Sequence, residues 1–308
     1  MATLIRFTPD LSDWINDNLN QGHGATDLIT VMHQQKMPVA TAHAIVAAFI
    51  EARLSGKPTP IDQIEVPDQN DVSDYHYTTP IFRDGNRITT TDREIRITAR
   101  AQHPTLALLS NVMSSEECAE LIALAKPRLS PSTVVDPLTG RDKIAGHRSS
   151  SGMFFNLNET PFIARLDQRI AEIMNMPVEH GEGIQILYYP EGAESTPHYD
   201  FLVPSNAANR ASLARSGQRL STMVTYLNDV PEGGETIFTV TGWTITPQRG
   251  NAVYFEYAHR LSSNEQHLLD QTDHASLHAS KPVTQGEKWV ATKWMRQRPF
   301  QSATFQQK

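Results

Sequence analysis

His198-Tyr-Asp200 places an imidazole and a carboxylate two residues apart in a stretch that reads as extended. Side chains alternate along an extended chain, so His198 and Asp200 face one way and Tyr199 the other. An imidazole nitrogen and a carboxylate oxygen on one face are two of the three donors of a non-haem Fe(II) site. Such a facial set leaves the opposite positions open for a bidentate co-substrate and O2. The tripeptide alone is a loose signal, because His180-Gly-Glu182 has a comparable form. Four downstream histidines could complete the set: His259, His267, His274 and His278. His259 and His267 flank the polar run Ser262-Ser-Asn-Glu-Gln266 and read as loop residues. Ten residues after His278 stands Lys288, which opens the last strong strand pattern. There Lys288, Val290, Thr292 and Trp294 share a face. A lysine beside valine and tryptophan suits an ammonium that holds a carboxylate inside a barrel.

The elements that carry these residues belong to a chain of 308 residues, a length that sets a prior of two domains. Lys plus Arg number 27 against 34 Asp plus Glu, a net charge of −7, which argues against a protein built to grip nucleic acid. Twelve histidines accompany one cysteine, Cys118, so a disulfide scaffold and a Cys₄ metal site are excluded. Any metal must use His with Asp or Glu. No apolar run is long enough to span a membrane, and the N-terminus lacks a basic stretch followed by an apolar one. The expectation is a cytoplasmic protein with no membrane partner.

Residues 1–56 read as a small all-α region. Ser12 is the expected cap of a segment with Trp14, Ile15 and Leu19, and Thr26 of one with Leu28, Ile29, Val31 and Met32. Ala42, Ile45, Phe49 and Ala52 keep helical spacing in a third. Its expected role is docking or simple packing. Residues 57–86, with Pro58, Pro60, Pro67 and Pro80, have linker composition. From Arg87 the chain alternates as a strand, and Leu106, Leu108 and Leu109 make another. Ser114-Ser-Glu-Glu117 is a capping box ahead of a helix, and a second helix is expected from Pro161 to Asn175. Beyond residue 180 short strands follow one another, clearest at Ile184–Tyr189, Leu220–Leu227, Ala252–Tyr257 and Trp289–Met295. That succession favours a mainly-β jelly roll.

From about Pro104 to Arg298 the sequence resembles the prolyl 4-hydroxylase branch of the Fe(II)/2-oxoglutarate-dependent dioxygenases. The resemblance rests on the order of several motifs. The first are the capped helix Ser115-Glu-Glu-Cys-Ala-Glu-Leu-Ile-Ala-Leu-Ala-Lys-Pro-Arg-Leu129, Ser132-Thr-Val-Val-Asp136 and Arg148-Ser-Ser-Ser-Gly-Met153. Pro197-His-Tyr-Asp200, Glu232-Gly-Gly-Glu-Thr236, Ser276-Leu-His278 and Gly286-Glu-Lys-Trp289 follow. It implies a double-stranded β-helix over about 180–300 within a catalytic domain of residues 87–308. It implies Fe(II) held by His198, Asp200 and His278, with Lys288 on the far carboxylate of 2-oxoglutarate. Tyr189 and Tyr226 match tyrosines that hydrogen-bond this co-substrate, and Thr222 shares the face of Tyr226. Arg148 and Arg219 match groove positions, and Ser195 and Trp294 join them as candidate substrate contacts. Ser195 stands where many relatives carry a tyrosine, and Thr239 where they often carry proline; both departures bear on the substrate.

The implied activity is hydroxylation of C4 of a prolyl residue in a peptide or protein, consuming 2-oxoglutarate and O2, with ascorbate as reductant and a homodimer as the oligomer. Two alternatives stand beside it: the same chemistry on a free amino acid or small natural product, and a metal-binding jelly roll without turnover. A nucleic-acid demethylase, with Arg296 as co-substrate anchor, is disfavoured by the charge and by Lys288. Leu202–Gly217 and Pro131–Arg148 are the expected lid loops over the site.

Overall fold

In the computed structural model, residues 2–21, 23, 25–55, 58–67, 80–131, 133–135, 142–144, 150–203, 207–257 and 272–302 are described. The chain divides into two units. One comprises Met1–His76, Val134–Lys143 and Val203–Arg210, the other Tyr77–Thr133, Ile144–Leu202 and Ala211–Lys308.

The N-terminal elements are β1 (Ala2–Arg6), α1 (Pro9–Asn20), α2 (Ala25–Gln34), α3 (Val39–Ser55) and β2 (Gln63–Pro67). The three expected helices close on Ile15, Leu28, Met32, Ile45, Val46 and Phe49, all buried. Three details differ from expectation, the first being that Thr26 lies inside α2 rather than capping it. Thr8, not Ser12, caps α1: its side chain accepts from the Leu11 amide, and Pro9 takes the first turn, where a missing N–H costs nothing. Ser12 lies inside the helix and donates to the Pro60 carbonyl at 2.7 Å. The region is also not all-α, because β1 pairs antiparallel with β2, inside the stretch expected to be linker. The five-residue β2 owes its strand to a distant partner and to Ile64, buried in the helical core; no local pattern announces that pairing.

From residue 87 the elements begin with β3 (Arg87–Thr89), β4 (Glu94–Ala101), β5 (Leu106–Ser110), α4 (Ser115–Ala125), β6 (Ser130–Pro131), β7 (Thr133–Val135) and β8 (Asp142–Ile144). Next come β9 (Ser151–Phe154), α5 (Pro161–Ile173), β10 (Gln185–Tyr189), β11 (Ser195–His198), α6 (Ala207–Ser216) and β12 (Arg219–Tyr226). The last are β13 (Glu232–Gly233), β14 (Thr236–Phe238), β15 (Thr244–Ile245), β16 (Ala252–Glu256), β17 (His278–Ser280), β18 (Val283–Gln285) and β19 (Lys288–Arg296). The expected capping box forms at α4, where Ser114 accepts from the Glu117 amide and Glu117 accepts from the Ser114 amide. Thr160 caps α5 with a single bond, its side chain accepting from the Ile163 amide.

Nine strands make one antiparallel sheet in the order β3-β4-β5-β16-β12-β19-β10-β9-β6, and four make another in the order β11-β17-β14-β15. The two face each other, because side chains bond from one to the other. Tyr226 on β12 donates to Thr236 on β14 at 2.9 Å, and Lys288 on β19 donates to Ser280 on β17 at 2.7 Å. This is the mainly-β jelly roll expected. β19 lies between β12 and β10, and all nine of its residues are buried, as a strand covered on both faces requires. Its outer face carries Lys293, which pairs with Asp167 of α5 at 2.6 Å.

One further expectation fails. Leu202–Gly217 contains the helix α6 rather than only a loop: its run of alanines favours a helix, but only Leu213 and Ser216 are buried, so no apolar stripe marks it. In the other expected lid, β7 pairs with β8, while Arg148 lies outside the described residues. So do His259 and His267. Among the described residues, no helix is long and apolar enough to cross a membrane.

Candidate metal centre

β11 ends on His198, and its partner strand β17 begins on His278; the two residues are directly opposite in register. The antiparallel pairing therefore joins residues eighty positions apart in the sequence, with ring centroids 4.4 Å from each other. Asp200 follows β11 and is buried. One donor atom from each of His198, Asp200 and His278 lies within 4.8 Å of the others. His274, the other described candidate, is apart from this cluster and meets the Tyr199 hydroxyl instead.

Each imidazole is oriented by its own backbone. His198 Nδ1 is 2.8 Å from the Thr196 carbonyl oxygen, and His278 Nδ1 is 2.9 Å from that of Ser276. A carbonyl only accepts, so each ring donates Nδ1–H and carries its lone pair on Nε2. Those Nε2 atoms lie 3.8 and 3.7 Å from the Asp200 oxygens. The Phe255 ring lies 4.8 Å from that of His278, fixing it from one side. Burial acts to raise the Asp200 pKa, but His278, His198, Arg219 and the Thr222 hydroxyl outweigh it, holding the carboxyl down at about 2. Two imidazole nitrogens and one carboxylate oxygen on one face match the donor set that suits Fe(II).

Lys288 lies 2 % exposed at the start of β19. Its ammonium donates to the Gly234 carbonyl at 2.6 Å and to Ser280 at 2.7 Å, both neutral. The Gly233-Gly234 turn offers that carbonyl with positive φ at both residues, where a side chain would be strained. Among the described residues Lys288 forms no ion pair. Burial, partly offset by Glu235, pulls its pKa down to about 7. Ser280 and His278 are two apart on β17, so they share a face about 7 Å from each other. That is the reach of a five-carbon diacid that ligates through its keto-acid end and pairs with Lys288 through its far carboxylate. The residues present thus fit both the metal and the co-substrate.

The other expected site residues divide into three groups. Tyr189 and Tyr226 flank Lys288, whose Nζ is 5.3 and 5.8 Å from their ring centroids. Thr222 does not sit with them: its hydroxyl lies 2.7 Å from Asp200 Oδ2 and 3.0 Å from the buried Tyr257 hydroxyl. With one proton to give, Thr222 donates to the carboxylate and accepts from the phenol. Arg219 is half-buried and engaged rather than free in a groove. It donates to both Glu182 oxygens and to the Asp200 backbone carbonyl, and it stacks 3.9 Å from the Trp294 ring centroid. The Trp294 Nε1–H is buried with no partner among the described residues. Ser195 is buried on β11, opposite Ser280. Arg296, the alternative anchor, is tied to Glu182, Ser212 and the Gly217 carbonyl. Sequence reasoning missed Tyr257, which no local motif marks, and saw Glu182 only as a rival His-x-Glu pattern, since their partners come from β12 and β19.

A model of the 2OG-Fe(II) oxygenase superfamily matches residues 184–296, which contain His198, Asp200, His278 and Lys288. Probable prolyl 4-hydroxylase 3 of Arabidopsis thaliana is 37% identical over 211 residues, covering 62% of this chain and 69% of that protein. Prolyl 4-hydroxylase 1 of the same plant is 39% identical over 210 residues, covering 63% and 70%. Among solved structures, the 2OG complex of a viral collagen prolyl hydroxylase from Paramecium bursaria Chlorella virus-1 is 25% identical with a TM-score of 0.47, covering 62% of this chain and 95% of that one.

Proposed function

This chain belongs to the prolyl 4-hydroxylase family of the 2OG-Fe(II) oxygenases, and from that premise we propose that it hydroxylates C4 of a prolyl residue in a peptide or protein. It is a 2-oxoglutarate-dependent dioxygenase, and its family implies Fe(II), 2-oxoglutarate and O2. The observation that carries the site assignment is the pairing on β17: His278 turned toward Asp200, and Ser280 beside it holding a buried ammonium that forms no ion pair among the described residues.

His198, Asp200 and His278 would hold the metal through Nε2, one carboxylate oxygen and Nε2. When bound, Fe(II) couples the oxidative decarboxylation of 2-oxoglutarate by O2, to succinate and CO2, to insertion of one oxygen atom into an unactivated C–H bond. Lys288 would pair with the far carboxylate and so set the co-substrate's direction along the barrel. Tyr189 and Tyr226 would line the same end. Tyr226 already gives its proton to Thr236, so it offers an oxygen lone pair and its ring rather than a hydrogen. Thr222 acts on Asp200, not on the co-substrate.

Trp294 is the strongest of the proposed substrate contacts, because an unpaired buried N–H costs about 1–3 kcal/mol unless something accepts from it. A peptide carbonyl would. Ser195 and Arg148 remain proposed contacts on the family pattern, and Arg219 would act beneath Trp294. Ascorbate as reductant, a homodimer and the cytoplasm are proposed with the activity; the single, buried Cys118 is compatible with a reducing compartment. Residues 1–56 as a helical domain, 57–86 as connection and 87–308 as the catalytic domain complete the proposal.

A peptide library assayed by mass spectrometry tests it. The expected result is a gain of one oxygen on proline, abolished by His198→Ala together with 2-oxoglutarate consumption. Succinate formation driven by free amino acids, and not by proline-containing peptides, would overturn the substrate assignment. No consumption of 2-oxoglutarate with any substrate would overturn the activity.

A further inference from the structure

Glu182 belongs to the His-x-Glu pattern that competes with the ligand tripeptide in the sequence, yet it lies outside the ligand cluster. Its backbone is pinned to the end of β19: the Glu182 amide donates to the Trp294 carbonyl at 3.0 Å, and His180 Nδ1–H donates to that of Arg296 at 2.9 Å. Its side chain is buried and both oxygens are in use. Oε1 accepts from Arg219 Nε at 2.7 Å and from Arg296 Nη1 at 2.9 Å, while Oε2 accepts from Arg219 Nη2 at 2.9 Å.

That fork fixes the Arg219 guanidinium within its plane, and the Trp294 indole, 3.9 Å away, fixes it perpendicular to the plane. One nitrogen is left over. Arg219 Nη1 donates to the Asp200 backbone carbonyl at 3.2 Å. Asp200 is therefore held at two points, its backbone by Arg219 and its carboxylate by Thr222.

We propose that Glu182 is a positioning residue for the metal centre, acting through Arg219 to hold Asp200 in its ligating orientation. The charges explain why a carboxylate is needed. Arg219 brings a cation to within reach of Asp200, and Glu182 engages it together with the neighbouring Arg296. Without it, the half-buried Arg219 guanidinium has lost its carboxylate, and the other carboxylate acting on it is the proposed ligand itself. A guanidinium turned onto the Asp200 oxygens would compete with the metal for them.

The inference rests on the proposed metal centre, so its test reads metal binding directly. The full-length chain is titrated with Co(II), following the visible absorption band and the dissociation constant. Partners of a ligand typically affect metal affinity by about 10–100-fold. Glu182→Gln is expected to weaken Co(II) binding by about tenfold and to change the band, with partial recovery in Glu182→Asp. Because Glu182→Gln leaves cations that could impair folding, Arg219→Lys is measured beside it. Lysine keeps the charge but has no fork, so it cannot serve Glu182 and Asp200 together; the same weakening is expected. The double variant should bind no more weakly than the weaker single one, since the two act in series. Folded variants with unchanged Co(II) affinity and band would overturn the inference, as would a Glu182→Gln that only lowers the melting temperature. If the unmodified chain binds no Co(II), the metal-centre reading falls and takes this inference with it.

Discussion

Lys288 is a titratable head placed by a central strand into a wall where, among the described residues, it forms no ion pair, and its behaviour should follow from that. Its folded-state pKa of about 7 lies below the ordinary 10.5. Above about pH 7 the folded, ligand-free chain has released a proton that the unfolded chain keeps until the ordinary lysine range. Stability without ligand should therefore rise with pH across that window. Co-substrate binding runs the other way, because it needs the ammonium. The dissociation constant for 2-oxoglutarate, measured on the metal-loaded protein from pH 6 to 9, should increase about tenfold per unit above 7. Lys288→Met should bind the co-substrate far more weakly and without that slope; a variant that keeps the slope would remove Lys288 from the role. At this scale the sequence was informative where a residue type was out of place. Lysine on an apolar face could be seen from Val290, Thr292 and Trp294. The service of Thr222 to Asp200 could not, because a threonine in a strand is ordinary and its partner is twenty-two positions away.

Among the elements, β19 has the most demanding position, with the site on one face and α5 on the other. Asp167 and Lys293 join α5 to it at 2.6 Å with both side chains essentially inaccessible. A buried pair of this kind is costly to break and inexpensive to replace. Asp167→Asn should lower unfolding stability by about 3–5 kcal/mol in chemical denaturation, since it leaves the Lys293 charge buried. The double change Asp167→Leu with Lys293→Met should recover most of that loss. Equal losses in the single and double variants would show that packing, not charge, governs this contact. The elements themselves were readable where caps and periodicity agree, as at α4 and α5. The helix α6 and the strand β2 were not, the first for want of an apolar stripe and the second because its partner stands at the start of the chain.

Among the described residues, the N-terminal elements have a hydrophobic core of their own. It is small, and Phe49 is fully buried within it. Phe49→Ala should cost about 3–5 kcal/mol, close to all that a unit of this size holds. The expected outcome is loss of helical circular-dichroism signal from that unit while Co(II) binding by the full-length variant persists. Loss of both together would overturn the proposed division into a helical domain and a catalytic domain.

The sequence by itself determined the chemistry: a His-x-Asp on one face of an extended segment, a later histidine, and a lysine where a solvated strand would not have one. These are local patterns of residue type and period, and they survive without coordinates. Only the tertiary structure shows that His278, the histidine the family pattern implies, lies opposite His198, where Arg219 points, and what Glu182 and Tyr257 touch. Each of those depends on pairing between strands remote in the chain. Register across β11 and β17 brings His278 opposite His198, and the meeting of β12 with β19 brings Arg219 onto Trp294. Such contacts follow from the closing of two sheets on one core, an outcome of the whole chain's packing that no short window of sequence contains.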